Sequence, residues 1–447
     1  MKILTEKDIV FSERSSFDPA GRVFFYQDRV FRAIYDQEYV CLYTDILKKE
    51  WLTSLFNKGL IRTWICEDIK ISNIPLIIEH EKIQFVTVPI EWTSQMFWEA
   101  AKTMVNLNLE LSYYGFLLKD SHPWNIFYHR GTPVFIDFGS IIKSSKISNT
   151  WLDEFITYIG VPLWLNNKKI YKLAIEYRRE HGVGFGITLF KNKVMRTLLL
   201  QSLMKIIKLN NNTTLFFEKL SRWIDKHRPH PSSISTWSNY YDKSKTCDSF
   251  ELNEKRKILT KKQQFVYDFL RKMKPLTVLD CAANKGFYSE MAANMGSAVL
   301  AFDNEEYCID ELLKKTKENK QNITPIVMDF QRPTPNFGRG LSGNDALKRF
   351  NVDIVLILGL IHHICLKEKF PLNLFCDLCC KYASKGVVLE FVEKNDKHVA
   401  PWMLKNIPHD YSIENIILFF SKKFPNYYIS ANEEGGLNRK YISFVKE

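Results

Sequence analysis

Three apolar runs in the C-terminal half of this chain each lead into an acid: Thr277-Val-Leu-Asp280, Ala298-Val-Leu-Ala-Phe-Asp303 and Ile326-Val-Met-Asp329-Phe330. After Asp280 the chain passes through small residues, Ala282, Asn284 and Gly286, and Gly286 opens an amphipathic stretch from Phe287 to Met295. Small residues let a backbone pass close to a ligand, and an acid closing the following strand accepts hydrogen bonds from ribose hydroxyls. That is nucleoside-binding chemistry. A further run, Asp353 to Ile361, leads into His362 and His363, and another, Gly386 to Val392, carries Glu390. With an ordinary pKa of about 6.5, a histidine suits proton abstraction near neutral pH. His362 or His363 is the candidate general base, with packing or capping as the alternative. Glu390 either orients a histidine, binds acceptor hydroxyls or has a structural role.

Five strand patterns separated by helical patterns predict a doubly wound, mostly parallel α/β sheet over residues 251–447. Ligands of such sheets bind outside the carboxyl ends of the strands, and the acids and histidines all fall on that side. A helical pattern from Lys255 to Met273 leads into the first strand. Upstream, Asn210 to Thr214 and the Pro/Ser-rich stretch from Arg228 mark a boundary, read as a linker over 209–250. Residues 1–208 alternate short strand-like and helical patterns, with clear helical periodicity from Trp98 to Tyr113 and from Lys191 to Leu209.

The composition narrows the class. Hydrophobic residues make up 46% of the 447 positions, enough for sizeable cores. No apolar run approaches the roughly 18 residues of a membrane span, and the N-terminus shows no secretory pattern. A cytoplasmic protein is expected. The nine cysteines lack paired spacing, which predicts reduced core thiols rather than zinc knuckles. The formal charge is +12, with 16 Lys and Arg against 8 Asp and Glu in residues 201–280. That segment is either a solvated connector or a surface for an anionic partner.

Two motifs resemble known sites. Asp280-x-Ala282-x-Asn284-x-Gly286 resembles the first motif of class I S-adenosylmethionine (SAM) methyltransferases, Asp/Glu-x-Gly-x-Gly-x-Gly, with Ala282 and Asn284 in place of glycines. Ala is the mildest replacement where φ is negative, and Asn tolerates left-handed φ. In the first half, Lys119-Asp120-Ser-His-Pro-Trp-Asn125 followed by Phe135-Ile-Asp137-Phe-Gly139 resembles the catalytic loop and metal-binding motif of protein kinases and aminoglycoside-type phosphotransferases. The resemblance implies that Asp120 orients a hydroxyl and that Asn125 and Asp137 hold magnesium on the phosphates of ATP. Residues 20–60 offer only Gly21 and Gly59, too few for a phosphate-covering loop, and no Val-Ala-Ile-Lys-like strand is evident. An α+β kinase-like accessory domain, degenerate in activity, is the expectation for residues 1–208. ATP and magnesium binding there is the open alternative.

Taken in order, Asp18-Pro-Ala-Gly-Arg-Val23, Ile90-Glu-Trp92, Lys119-Asp120, Phe135-Ile-Asp137, Trp237-Ser-Asn-Tyr-Tyr241, Asp329 to Asn336, Leu360 to His363, Leu389 to Val392 and Asp410-Tyr411 resemble a family of bacterial class I SAM-dependent methyltransferases that includes a nodulation-type protein. The resemblance implies SAM-dependent O-methylation of a glycan, glycolipid or related small acceptor. It places Asp280 at the methionine end or in the turn, the backbone of Ala282, Asn284 and Gly286 along the cofactor, Asp303 on the ribose, and Asp329 with Phe330 at the adenine. A metal set of Glu390, Glu393, His398 and His362, as in metal-dependent RNA ribose methyltransferases, fits the spacing poorly. Trp237, Tyr240 and Tyr241 either line the acceptor site or staple the domains. Three alternatives stand beside this reading: a bifunctional kinase–methyltransferase, an RNA methyltransferase, and an inactive scaffold.

Overall fold

The structure is a computed structural model that describes residues 2–15, 18, 21–178, 193–230, 259–337, 343–402, 407–432 and 438–446. The chain forms two compact units. One comprises Met1–Tyr128, Thr132–Pro231 and Phe337–Gly343, and the other His129–Gly131, Ser232–Asn336 and Asn344–Glu447. Trp237, Tyr240 and Tyr241 lie outside the described residues, as does the start of the helix expected from Lys255. Among the described residues no helix is long and apolar enough to cross a membrane.

The first unit is built on an antiparallel sheet of β1 (Val10–Phe11), β2 (Arg22–Tyr26), β3 (Arg29–Ile34), β4 (Thr63–Ile65) and β5 (Leu76–His80), in the order β1-β2-β3-β5-β4. Phe24 and Phe31 face each other across β2 and β3 with ring centres 5.1 Å apart, a cross-strand pair that fixes the register. Helix α1 (Gln37–Ile46) follows β3 and is capped by the Asp36 carboxylate, which accepts from the Glu38 N–H. The longest helix among the described residues, α2 (Ser94–Ser112), starts from Thr93, whose hydroxyl accepts from the Met96 N–H. It covers the helix expected from Trp98. Strands β6 (Phe116–Leu118) and β7 (Ile141–Lys143) pair antiparallel, and helix α3 (Asn149–Phe155) follows. The segment read as a linker from 209 holds helix α4 (Thr213–Lys226), which buries Phe216, Phe217, Leu220, Trp223 and Ile224. That apolar stripe explains why α4 packs into the unit rather than spanning a gap: the Trp98 indole N–H donates to the Ile224 carbonyl, and Lys102 pairs with Asp225.

Among the described residues from 232 onward, the first helix of the second unit is α5 (Lys261–Met273). Its Thr260 and Gln263 form a reciprocal capping box, and Lys274 stops it in a left-handed conformation before Pro275. There follow β8 (Thr277–Cys281), α6 (Phe287–Asn294), β9 (Ala298–Asp303), α7 (Glu306–Glu318), β10 (Ile323–Val327), β11 (Val352–Ile357), α8 (Leu372–Tyr382), β12 (Ala383–Val392), α9 (Ile413–Ser421), β13 (Asn426–Asn432) and β14 (Arg439–Val445). The sheet order is β10-β9-β8-β11-β12-β14-β13, that is 3-2-1-4-5-7-6 in chain order. The first five strands are parallel, whereas β14 runs antiparallel to both β12 and β13. Val278, Leu279, Val299, Leu300 and Ile354 to Ile357 are fully buried, which is why these runs are continuously apolar rather than alternating. On one face Val266 and Leu270 of α5 pack with Phe287 and Met291 of α6 over Val278, Val299 and Val388. Strand order reverses between β8 and β11, so the crevice for a ligand opens at the carboxyl ends of those two strands.

Candidate functional site

Asp280, on β8, is opposite Ala301 of β9 and Leu356 of β11 and is almost fully buried. The Ser289 hydroxyl of α6 donates to its carboxylate at 2.6 Å. Burial raises the Asp280 carboxyl to about 7, with the Ser289 hydrogen bond pulling the other way. The turn after it carries three left-handed residues: Ala282 at φ 56°, Asn284 at 51° and Gly286 at 83°. Asn284 tolerates this as expected. Ala282 does not sit at the negative φ that would make it a mild substitute for glycine, and the turn holds it against that preference. The holding bonds run to the end of β9: the Ala283 N–H donates to the Phe302 carbonyl at 3.0 Å and the Asn284 N–H to the Asp303 carboxylate at 2.9 Å. A Cβ on Gly286 would lie 2.2 Å from Leu312 Cδ1, so its lack of a side chain is what lets α7 close on the turn.

Asp303 is buried at the end of β9, and its other oxygen accepts from the Glu305 N–H at 3.0 Å. Burial raises its carboxyl, and the backbone donors of Asn284 and Glu305 oppose that. With backbone donors at Asn284, Asn304 and Glu305 against about four lone-pair sites, the carboxylate keeps acceptor capacity for a ligand hydroxyl. The sequence did not reveal that Asp303 also builds the turn. Asp329 follows β10, half-buried, and accepts from the Gln331 N–H at 2.8 Å. Phe330 turns into the core against Phe375 of α8, ring centres 5.0 Å apart, and is 4% exposed. Its ring is occupied by packing, which leaves Asp329 as the residue at the strand end with polar capacity.

The run into the histidines is shorter than its apolar pattern. β11 stops at Ile357, Gly359 turns at φ 74°, and His362 begins a wide helical turn, His362–Lys367. His362 is 5% exposed and its Nδ1 is buried without a hydrogen-bond partner. Trp402 stacks over it at 5.7 Å and 16°, and the His363 ring lies 4.2 Å away. Burial pulls His362 down to about 3, with the neighbouring His363 adding to it, and burial and Lys367 pull His363 down to about 4. Both are therefore uncharged at neutral pH, and both are weaker bases than the value near 6.5 from which the sequence reading started. The reason is desolvation, which penalises the imidazolium.

Glu390 is fully buried on β12 and is held by two cations, Lys262 of α5 at 2.5 Å and Arg439 of β14 at 2.8 Å. Burial alone would raise its carboxyl; Lys262 and Arg439 overcome that and bring it to about 2. Arg439 also pairs with Asp396 at 3.1 Å. This carboxylate is committed to an internal ion network, which favours the structural role among the three considered. Lys262 and Arg439 were not singled out from the sequence, because each pairs across a long stretch of chain. The charge of Lys262 reaches Asp280, Glu390 and His362 alike, which places turn, network and histidines in one neighbourhood. Among the described residues, Glu390, Glu393, His398 and His362 do not converge as metal ligands.

The other constellation lies in the first unit. Asp137 accepts from Arg32 of β3 at 2.7 Å; Arg32 also pairs with Asp18 at 2.6 Å, and Lys119 reaches Asp18 at 3.0 Å. Arg32 is 4% exposed, and a Cβ on Gly139 would come within 2.2 Å of its guanidinium. Asn125 closes a helical turn whose carbonyl accepts from the Ile136 N–H at 2.8 Å. The Asp120 N–H donates to Ser140 Oγ at 3.2 Å, and burial, then the nearby Asp137, raises the Asp120 carboxyl. Arg32 holds one oxygen of Asp137, so an ion at Asn125 and Asp137 would share that carboxylate with a buried guanidinium. The cation that meets Asp137 comes from β3, Val30-Phe-Arg32-Ala-Ile34, and is an arginine.

The second unit is thus an α/β unit with a mostly parallel sheet whose strand order reverses between β8 and β11. No family model matches the chain. It is similar to nodulation protein NoeA of Rhizobium meliloti (strain 1021), 24% identical over 442 residues, covering 91% of this chain and 90% of that protein. The resemblance to a nodulation-protein family read from motif order is thus borne out over nearly the whole length. Among solved structures, WbdD, described as a bifunctional kinase-methyltransferase, shares 16% identity at a TM-score of 0.30, covering 41% of this chain and 38% of that one. Magnesium protoporphyrin IX methyltransferase from Synechocystis PCC 6803 with bound SAH shares 15% identity at a TM-score of 0.30, over 41% of this chain and 81% of that one.

Proposed function

We propose that the second unit binds SAM along the carboxyl ends of β8 and β9, beside the switch point between β8 and β11, and transfers its methyl group to a hydroxyl of a glycan, glycolipid or related small acceptor. The observation that carries this reading is the left-handed turn from Ala282 to Gly286, tied to Asp303 at the mouth of a 3-2-1-4-5-7-6 sheet. The inserted antiparallel β14 departs from the 3-2-1-4-5-6 order of dinucleotide-binding sheets. The turn itself lacks their Gly-x-Gly-x-x-Gly cradle. The residues fit the group: a buried carboxylate at Asp280 for an ammonium, spare lone pairs on Asp303 for ribose hydroxyls, and Asp329 at the third strand end for the base.

Bound SAM supplies an electrophilic methyl on a sulfonium with a neutral leaving group. The chain's task is then to orient the acceptor and exclude water. Trp402 and the half-buried His363 shield the carboxyl ends of β11 and β12, and the neutral imidazoles accept an acceptor proton only weakly. Orientation and desolvation carry more of the rate than proton abstraction. The first unit serves as a degenerate kinase-like lobe. Its antiparallel sheet followed by α1, and Asp137 held by Arg32, support a scaffold or acceptor-holding role over phosphoryl transfer. The basic segment 201–280 is proposed to meet an anionic partner.

Calorimetry with SAM tests the site: saturable binding that Asp303→Ala abolishes supports it, and absence of heat up to millimolar SAM rejects it. Labelled SAM incubated with fractionated cell extract then identifies the acceptor fraction, lipid-linked glycan or RNA.

A further inference from the structure

Asp120, His122 and Glu154 bring one ligand atom each to within 4.8 Å of one another in the first unit. They come from two elements pinned together by the residue between them. The Ser121 hydroxyl donates to the Trp151 carbonyl of α3 at 2.6 Å, and the Ser121 N–H donates to the Glu154 carboxylate at 3.0 Å. The second bond fixes one carboxylate oxygen and so aims the group, as outer-shell donors do at metal sites. His122 Nδ1 is shut off from solvent and has no hydrogen-bond partner. Such an atom costs free energy unless something fills its lone pair or takes its proton. The nearby cations are engaged elsewhere, Arg32 with Asp18 and Asp137, and Lys119 with Asp18.

We infer that Asp120, His122 and Glu154 form a divalent-cation site, distinct from the Asn125 and Asp137 pair to which the kinase-like motif pointed. One imidazole and two carboxylates suit a first-row transition ion such as Mn²⁺ or Zn²⁺ better than magnesium, and three protein ligands leave positions for water or an anionic group. The ion clamps the loop after β6 to α3. It also occupies the carboxylate that a kinase would use to receive a hydroxyl proton, so the cluster works as a metal site only where phosphoryl transfer has been given up.

The test is a Mn²⁺ titration of the full chain followed by electron paramagnetic resonance. One saturable site is expected, with nitrogen modulation from a coordinated imidazole in the pulsed spectrum. Glu154→Gln and His122→Ala are expected to weaken binding at least tenfold, consistent with the loss of a ligand; Asn125→Ala is expected to leave it unchanged. A tenfold excess of Mg²⁺ should not displace the ion. Lack of nitrogen modulation in the unsubstituted protein overturns the assignment, even if a variant fails to fold. Loss of binding in Asn125→Ala with retention in Glu154→Gln also overturns it, by placing the ion at the kinase-like pair.

Discussion

Glu390→Gln separates a structural from a catalytic carboxylate. The side chain is fully buried, and its charge is balanced by Lys262 at 2.5 Å and Arg439 at 2.8 Å. The carboxyl is depressed from an ordinary 4.5 to about 2. At ~1.4 kcal/mol per unit, that shift corresponds to ~3 kcal/mol in favour of the ionised, folded form. Removing one partner of a buried pair costs about 3–5 kcal/mol by comparison, because the other charge is stranded. Arg439 keeps Asp396, and Lys262 is 20% exposed and can turn toward water, so the lower end applies. A unit of this size loses about 2–4 °C per kcal/mol, which makes the expected fall in Tm about 6–12 °C at pH 7. The acid's folded pKa lies below its unfolded value. Its contribution is therefore complete above about 4.5 and disappears as pH falls toward about 2, so the two proteins should converge in stability over that window. The assay is thermal melting with amide exchange on β12 and β14, which reads the second unit separately. An unchanged melt together with abolished methyl transfer would refute the argument and return Glu390 to the reaction.

Three further outcomes follow from the same geometry. Because burial raises Asp280 to about 7, the folded state favours its neutral form; that contribution is complete below the unfolded pKa near 3.8 and is lost as pH rises through about 7. A SAM ammonium needs the ionised form, so affinity should rise about fivefold between pH 6 and 7, about twofold more by pH 8, and level off above; calorimetry that finds it flat from pH 6 to 8 removes Asp280 from the ligand contact. Gly286→Ala forces a side chain into a left-handed position against Leu312, which should destabilise the second unit by ~2–4 kcal/mol and weaken SAM binding, read by melting and calorimetry. Arg32→Ala strands Asp137, while Asp18 keeps Lys119, and should destabilise the first unit by about 3 kcal/mol while SAM affinity stays within twofold; ATP-dependent stabilisation of the unsubstituted protein would contradict the view that Arg32 blocks the motif.

The placement of Arg32 shows why a motif scan stops short of a site. Asp120, Asn125 and Asp137 are recognisable because they lie in a short run of sequence. The residue that decides what Asp137 does comes from a strand 105 residues away. Cys376 and Cys379 give the opposite case: both are buried and burial keeps their thiols protonated, whereas Cys41 is exposed, so the expectation of core thiols holds for only part of the set.

Local pattern by itself determined the parallel strands, the helix after Gly286, and the gathering of Asp280, Asp303 and Asp329 at one end of the sheet. Strand and helix periodicity are properties of adjacent residues, and the doubly wound connection leaves few ways to arrange them. Tertiary structure alone decided the antiparallel insertion of β14, the left-handed φ of Ala282, and the withdrawal of Phe330 into the core. It also set the chemistry of the ionisable groups. His362 became a weak base because Trp402 and the sheet desolvate it, and Glu390 became an internal anion because Lys262 and Arg439 arrive from 128 and 49 residues away. A pKa is fixed by what surrounds a side chain in space, and no spacing along the chain encodes that surrounding.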